Sequence, residues 1–219
     1  MADDLKYGYK GAEPTQSFGN NTGVFDPNDI NNLIADRKWT SVGSLELIET
    51  QTGQSTSADI LSVNFESIKE TEYDVHFLTF SEGISNGYQY LSLQFGNNGT
   101  YTTSGYVYSA RDYQDSGSYS DQKSTSASEL RIGSYVYQGE NAYCYIYNIG
   151  DSSKYTYTSS MQSAVRANNA GMRGQFGNGS YPSQTSFNNI KIKRTSTVGW
   201  YSFKSSLYGI KLSWKQVWN

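Results

Sequence analysis

From residue 39 onward, the sequence is a succession of short runs of β-forming residues separated by clusters of turn residues. The run at 73–80 is dense in β-formers and almost continuously apolar, like a central strand, whereas the run at 88–95 alternates apolar and polar residues. Many short strands at fairly even spacing, with no helices between them, are typical of antiparallel sandwiches and jelly rolls. We therefore predict an all-β fold, an antiparallel β-sandwich or jelly-roll-like domain, over residues 39–219.

Runs of the same character continue to the end of the chain. They predict strands at residues 130–138, 142–149, 154–163, 187–194 and 198–212. Clusters of Gly, Asn, Asp and Ser between them predict turns, which lie at residues 96–99, 150–153 and 177–179. The first and last of these clusters share an aromatic-Gly-Asn sequence, and we attribute this similarity to the chemistry of tight strand-ending turns.

The first 38 residues differ from the rest and predict an N-terminal docking arm followed by one short helix. Residues 1–25 carry glycine or proline at short intervals and have no sustained periodicity, so they cannot form a core alone. A helix is predicted near 27–38, because Asp26 is a good N-cap and Pro27 suits the first helical position. An unstructured terminus is the alternative. Seven apolar side chains are candidates for docking onto a partner: Tyr7, Tyr9, Phe18, Val24, Phe25, Ile30 and Leu33.

The stretch 102–129 is the most polar part of the chain, and we predict that it is a long loop. Tyrosine, glycine, serine and asparagine are the residues that recognition surfaces favour, since tyrosine supplies a large rigid contact and small polar residues adapt their hydrogen bonds. Most of the 20 tyrosines are expected to lie half-buried on sheets. Those predicted in loops are the candidates for receptor or glycan contact: Tyr101, Tyr106, Tyr108, Tyr113, Tyr119 and Tyr181.

The composition excludes several classes of protein. Charged residues make up 17% and aromatic residues 15%, a balance that argues against disorder. The net charge of −3 gives no electrostatic reason to bind nucleic acid or an anionic membrane. No apolar run is long enough to span a membrane, and no signal peptide is visible. We therefore expect a protein made in the cytoplasm that does not leave the cell by the usual export route.

The residue inventory offers little catalytic chemistry. The single histidine, His76, and the single cysteine, Cys144, both lie within predicted strands, so we expect them to be buried core residues. No nucleophile elbow, Walker A loop or dinucleotide fingerprint occurs. The acids Asp112, Asp115 and Asp121 cluster in the predicted loop and are expected to be solvated charges. We expect no catalytic residue, no metal site and no cofactor, and predict that the protein is not an enzyme.

Two segments bear a resemblance to a known group of proteins. Residues 11–25 (GAEPTQSFGNNTGVF) together with 29–33 (DINNL) resemble the N-terminal region of tailed-bacteriophage virion proteins, notably fibre-like proteins of marine and cyanobacterial phages. Residues 199–211 (GWYSFKSSLYGIK) resemble the closing strand of the β-domain in the same group. The resemblance implies a virion structural protein, a short tail-fibre or appendage protein, that is commonly a homotrimer and is released by lysis.

The resemblance also implies that the N-terminal arm and the β-domain have different functions. The N-terminal arm would attach to other virion proteins of the tail, baseplate, neck or capsid, and the β-domain would contact a host-surface glycan. Two alternatives are a capsid decoration or head-fibre protein without a receptor role and a non-catalytic carbohydrate-binding module. A third is a glycan hydrolase that depends on a carboxylate pair such as Asp112 and Asp115.

Overall fold

The computed structural model describes the greater part of the region after residue 44. The described residues are 45–57, 60–165, 171–194 and 198–210, together with Asn28, Asn31 and Asn32, which are helical. The chain divides into two units, 1–42 and 43–219, and the fold below is that of the second. The remainder of the predicted helix near 27–38 and all seven docking candidates lie outside the described residues. Within the described part, no helix is long and apolar enough to cross a membrane.

Thirteen strands, β1 to β13 in chain order, make up the described domain. Their bounds are Glu46–Gln54, Ser62–Phe65, Val75–Gln89, Leu91–Asn97, Thr100–Tyr101, Tyr106–Gln114, Tyr119–Ala127, Leu130–Arg131, Val136–Tyr147, Thr156–Val165, Met172–Tyr181, Asn189–Arg194 and Trp200–Ile210. An eight-stranded sheet has the order β1-β13-β3-β9-β10-β11-β6-β7, and a five-stranded sheet has β2-β12-β4-β5 with β8 also paired to β4. The paired strands are antiparallel, which confirms the predicted all-β sandwich.

The core lies between the two sheets and follows from the period-two alternation of the strands. In β10, for example, buried and accessible side chains alternate along the strand. Both sheets contribute large apolar side chains to one continuous cluster. Its members include Phe65, Phe95 and Ile190 from the five-stranded sheet and Phe80, Ile146 and Leu207 from the eight-stranded sheet. Burial of these side chains is the main force that joins the sheets.

The prediction of a loop at 102–129 is wrong, because most of this stretch forms the antiparallel hairpin β6–β7. In β6, buried Tyr106, Tyr108, Ala110 and Asp112 alternate with more accessible residues. No side chain of β7 is buried, since this strand forms the edge of its sheet. Polar and charged side chains on an edge strand discourage pairing with other chains, and that composition made the segment look like a loop.

The prediction of a turn at 177–179 is also wrong, whereas the turn at 96–99 is confirmed. Asn98 and Gly99 have positive φ angles of 49° and 78° and connect β4 to β5, as an Asn-Gly hairpin requires. Gly177 and Gly179 instead lie within β11. A Cβ at Gly177 would lie 2.4 Å from the Cβ of Ala110, so close packing between strands explains these glycines.

A buried ion pair joins the two sheets inside the core. Glu140 of β9 and Arg194 of β12 are almost fully buried, and Arg194 Nη1 donates to Glu140 Oε2 at 3.1 Å. The same oxygen accepts from Trp200 Nε1 at 2.7 Å, and Arg194 Nη2 donates to the carbonyl oxygen of Gly87 at 3.0 Å. Burial raises the pKa of Glu140, and the Arg194 guanidinium and the Trp200 N–H oppose that rise.

We predict that Glu140→Gln destabilises the fold by about 3–5 kcal/mol, because it leaves the Arg194 cation buried without a counter-charge. Urea unfolding at pH 7 measures the change. Asp121→Asn is the control, since it breaks the exposed Arg111–Asp121 pair and should change stability little. Adding Arg194→Met to the Glu140→Gln variant should restore part of the loss. Equal losses for the buried and exposed single variants would contradict the prediction.

The expectations for His76 and Cys144 are confirmed, since both side chains are fully buried. The His76 Nε2 donates to the carbonyl oxygen of Ile68 at 2.7 Å. Burial lowers the pKa of His76, and this effect exceeds the opposing influence of the Ile68 carbonyl and of Glu70. Burial also raises the pKa of the Cys144 thiol well above its ordinary value, so that the thiol stays protonated and unreactive.

The lowered pKa of His76 predicts acid-sensitive stability. Above the ordinary histidine pKa of about 6.5, folded and unfolded chains both hold neutral imidazole, and the stabilisation is complete. As the pH falls through 6.5 toward the folded-state pKa, only the unfolded chain gains the proton, and stability is lost. In His76→Gln, the unfolding free energy should therefore fall less between pH 7.5 and 5.5 than in wild type. Parallel pH profiles would show that His76 is not the group responsible.

Candidate functional site

An aromatic surface covers the outer face of the eight-stranded sheet, and its centre is β9. Ala142, Cys144 and Ile146 of this strand belong to the core. Because successive side chains of a strand point to opposite faces, the residues between them face outward. Those residues are Tyr143 and Tyr145, and Tyr147, which follows Ile146, has the same orientation. The alternation of small or apolar residues with tyrosine therefore gives the strand one face in the core and one aromatic face at the surface.

Neighbouring strands extend this surface on both sides of β9. Phe77 lies 4.6 Å from Tyr145 and 6.2 Å from Tyr208, measured between ring centroids. On the other side, the Tyr143 hydroxyl lies 3.6 Å from the Met161 sulfur, and Met161 is paired with Phe176 across the sheet. We call this surface the tyrosine face. It comprises Phe77, Tyr143, Tyr145, Tyr147, Tyr157, Met161, Phe176 and Tyr208.

The tyrosine face is exposed and uncharged over its central strands. Tyr157 is 48% exposed and Phe176 is 53% exposed. The cross-strand row through Tyr145 has Ser159 and Asn178 as its next members, so hydroxyl and amide groups lie among the rings. Large contiguous aromatic surfaces of this kind mark interaction sites in soluble proteins. Rings beside small polar groups suit a ligand that has an apolar face and hydroxyl groups, such as a sugar.

The six tyrosines predicted for glycan contact are not brought together in one place. Tyr106 is fully buried: its hydroxyl oxygen accepts from the Phe95 amide at 2.7 Å, and burial raises its pKa strongly. Tyr108 is only 8% exposed. Neither ring can stack on a ligand at the surface, because the alternation of β6 directs both inward.

The other four predicted tyrosines lie in separate surroundings. Tyr181 packs against the core, and Tyr101 on the five-stranded sheet has Lys191 Nζ 3.8 Å from its ring centroid. Tyr113 lies beside the tyrosine face, 6.3 Å from Phe176, and Tyr119 on the edge strand is 68% exposed. The central rings of the tyrosine face were missed because they lie in strands, and the alternation in β9 was the signal that could have found them.

The acidic cluster predicted in the polar stretch is dispersed by the hairpin. Asp112 is buried and accepts hydrogen bonds from Arg173 Nη2 at 3.0 Å and Gln175 Nε2 at 2.8 Å. Asp121 pairs instead with Arg111 at 2.8 Å on the outer face, and its pKa is lowered by that bond. Across the described ranges, no group of three or more histidine, cysteine or acidic side chains could hold a metal ion.

A cleft of about 540 Å³ lies beside β1 and β2. It is lined by Ile48, Glu49, Gln51, Asn64, Glu66 and Ser67. Its lining contains no aromatic ring that could stack on a sugar. The tyrosine face therefore remains the better candidate for a recognition surface.

Comparison with known proteins adds little to this picture. No protein-family model and no curated protein match the chain. Among solved structures, it is similar to the crystal structure of a protein of unknown function from Shewanella oneidensis MR-1, at 9% identity and a TM-score of 0.18. That alignment covers 90% of this chain and 100% of the other. A likeness with so low a TM-score carries no argument about fold or function.

The contrast between buried and surface tyrosines predicts that removing one hydroxyl destabilises the fold at a buried position and has little effect at an exposed one. Tyr106→Phe should destabilise the fold by about 1–3 kcal/mol, because the buried Phe95 amide loses its acceptor. Tyr157→Phe, at an exposed position, should leave the unfolding free energy within about 0.5 kcal/mol of wild type. Chemical unfolding of the two variants makes the comparison. A larger loss in Tyr157→Phe than in Tyr106→Phe would contradict this assignment.

Proposed function

We propose that the protein is a bacteriophage virion structural protein of the fibre or appendage type. Residues 1–38 attach the chain to the particle, and the β-sandwich domain presents the tyrosine face to a glycan on the host surface. The resemblance of residues 11–25 and 199–211 to phage virion proteins supports the virion assignment. The proposal includes a homotrimer, in which clustering of three weak contacts raises the effective concentration of each for its ligand.

The observation that carries the glycan-binding part is the tyrosine face itself. A pyranose ring has an apolar face that packs on an aromatic ring and a rim of hydroxyls that need hydrogen-bond partners. The tyrosine face offers both, since its rings alternate with side chains such as Ser159 and Asn178. Strands rather than loops carry these rings, so the surface is preorganised and binding orders few side chains.

A glycan array with the purified full-length chain tests this proposal. Tyr143→Ser/Tyr157→Ser should lose the signals that wild type gives on bacterial surface glycans, because two exposed rings of the tyrosine face are removed. Leu61→Ser is the matched control, since it removes an exposed apolar side chain that lies off this face. The control should bind like wild type. Equal binding by the double variant would reject the tyrosine face as the contact surface.

Attachment to the particle is tested separately in the lysate of a phage that encodes the chain. Gradient-purified particles should contain the full chain, and removal of residues 1–25 should leave a folded protein that is absent from them. Efficient incorporation of the shortened chain would reject the docking role of the arm. If the full chain is absent from particles but binds glycans, the alternative of a non-catalytic carbohydrate-binding module would be favoured.

A further inference from the structure

A second site lies at the rim of the sandwich, where strand β8 of one sheet and edge strand β7 of the other are bridged by a hydrogen bond. The short strand β8 pairs with β4 of the five-stranded sheet, and β7 is the edge strand of the other sheet. Arg131 belongs to β8 of the five-stranded sheet, and its Nη1 donates to Gln122 Oε1 in β7 of the eight-stranded sheet at 2.7 Å. One guanidinium therefore connects the two sheets at their rim.

Tyrosine rings surround this guanidinium. Its central carbon lies 3.6 Å from the ring centroid of Tyr90 and 5.8 Å from that of Tyr108. Tyr135 lies 5.1 Å from Tyr90, and it is 39% exposed. Tyr88 stacks on Tyr135 at 5.3 Å with an interplanar angle of 13°. The Tyr90 ring lies against the guanidinium and also contacts the accessible ring of Tyr135, so Tyr90 connects the cation to an exposed aromatic ring.

The charge of Arg131 is not neutralised in the way that the other arginines are. Three of the four arginines in the described ranges pair with a carboxylate: Arg111 with Asp121, Arg173 with Asp112 and Arg194 with Glu140. Arg131 makes no ion pair with any described residue. A guanidinium has five N–H donors, and Gln122 accepts from one of its nitrogens. Donors therefore remain for an oxyanion from outside the chain.

The strand next to Arg131 adds a further unmatched group. Ser92 of β4 is paired directly with Arg131 on one side and with Lys193 on the other. The Ser92 hydroxyl is buried and has no hydrogen-bond partner in the described structure. Lys193 pairs with Glu129 at 2.9 Å, so it contributes little free charge. Of these three paired residues, Arg131 has no ion pair and the buried Ser92 hydroxyl has no hydrogen-bond partner among the described residues.

We propose that Arg131 and Tyr135 form a binding site for an acidic sugar. The planar fork of the guanidinium matches an oxyanion and binds it through two parallel hydrogen bonds. The exposed ring of Tyr135 receives the apolar face of the sugar. This inference rests on the proposed glycan-binding function and names the class of ligand at a site distinct from the tyrosine face. A carboxylate on a uronic acid and the phosphate of a sugar phosphate offer the same chemistry.

Isothermal titration of the full-length chain tests the site with three probes. They are a galacturonic acid tetrasaccharide, its neutral methyl ester and mannose 6-phosphate. The acidic tetrasaccharide should bind at least about 10-fold more tightly than its ester, because a charged hydrogen-bonded pair is lost. Binding should weaken as the salt concentration rises. Equal affinity for acid and ester, or no binding of either anionic probe, would overturn the inference. Mannose 6-phosphate decides whether the site accepts phosphate as well as carboxylate.

Variants assign the binding to Arg131. Arg131→Met should weaken binding of the acidic tetrasaccharide about 10-fold or more, and Arg131→Lys should restore it only in part, since lysine lacks the planar fork. Arg111→Met is the matched control, because Arg111 also lies over a tyrosine ring, at 4.9 Å from Tyr119, but is already paired with Asp121. A loss equal to that of Arg131→Met in this control would overturn the assignment.

This experiment separates the inference from the proposed function. If Arg131→Met binds acidic sugars like wild type while Tyr143→Ser/Tyr157→Ser loses its array signals, the inference fails and the proposed function stands. If acidic sugars bind through Arg131 but the double variant keeps all array signals, the tyrosine face is rejected and the rim site remains. Melting temperatures of all variants close to that of wild type show that the losses are not due to unfolding.

Discussion

The apolar core holds the two sheets together, and the buried Glu140–Arg194 pair within it is the polar constraint that the core must satisfy. Two charges removed from water are costly unless hydrogen bonds offset the loss of solvation, and here Trp200 and the Gly87 carbonyl supply part of that compensation, while Arg194 Nε has no partner in the described structure. Gly83 is part of the same arrangement, since a Cβ there would lie 2.8 Å from the Glu140 Cβ. The hydrogen bond between Arg194 and Glu140 joins β12 of one sheet to β9 of the other, so the pair contributes a directional contact between the sheets in addition to the apolar packing.

With the sheets held in register, strand alternation sorts the tyrosines into two roles. Tyr106 faces inward, and its hydroxyl oxygen accepts a hydrogen bond from the backbone amide of Phe95, so it is part of the scaffold. Tyr145 faces outward and meets Phe77 on a broad exposed surface. Both use the same side chain, with its large apolar ring and one polar atom. The face of the strand, rather than the residue type, decides whether a tyrosine is buried in the core or exposed at the surface.

The two candidate recognition surfaces differ in their electrostatics. The tyrosine face is wide and uncharged across its central strands, which suits neutral sugar rings. The rim site around Arg131 is cationic, and Tyr90 contacts both its guanidinium and the exposed ring of Tyr135. A glycan with both kinds of sugar could bind the tyrosine face through its neutral residues and the rim site through its acidic residues. Such multivalent contact would raise avidity beyond either site alone.

The all-β class, most strands, the Asn98–Gly99 turn and the burial of His76 and Cys144 could be predicted from the sequence, because they depend on local alternation and turn chemistry. It did not reveal the β6–β7 hairpin, since an edge strand exposes polar residues just as a loop does. Only the tertiary structure assembled the tyrosine face and the Arg131 site. The tyrosine face draws on strands as distant in the chain as β3 and β13, and Arg131 contacts Gln122 of the other sheet. Pairing order across a sheet is set by long-range packing that no local pattern encodes.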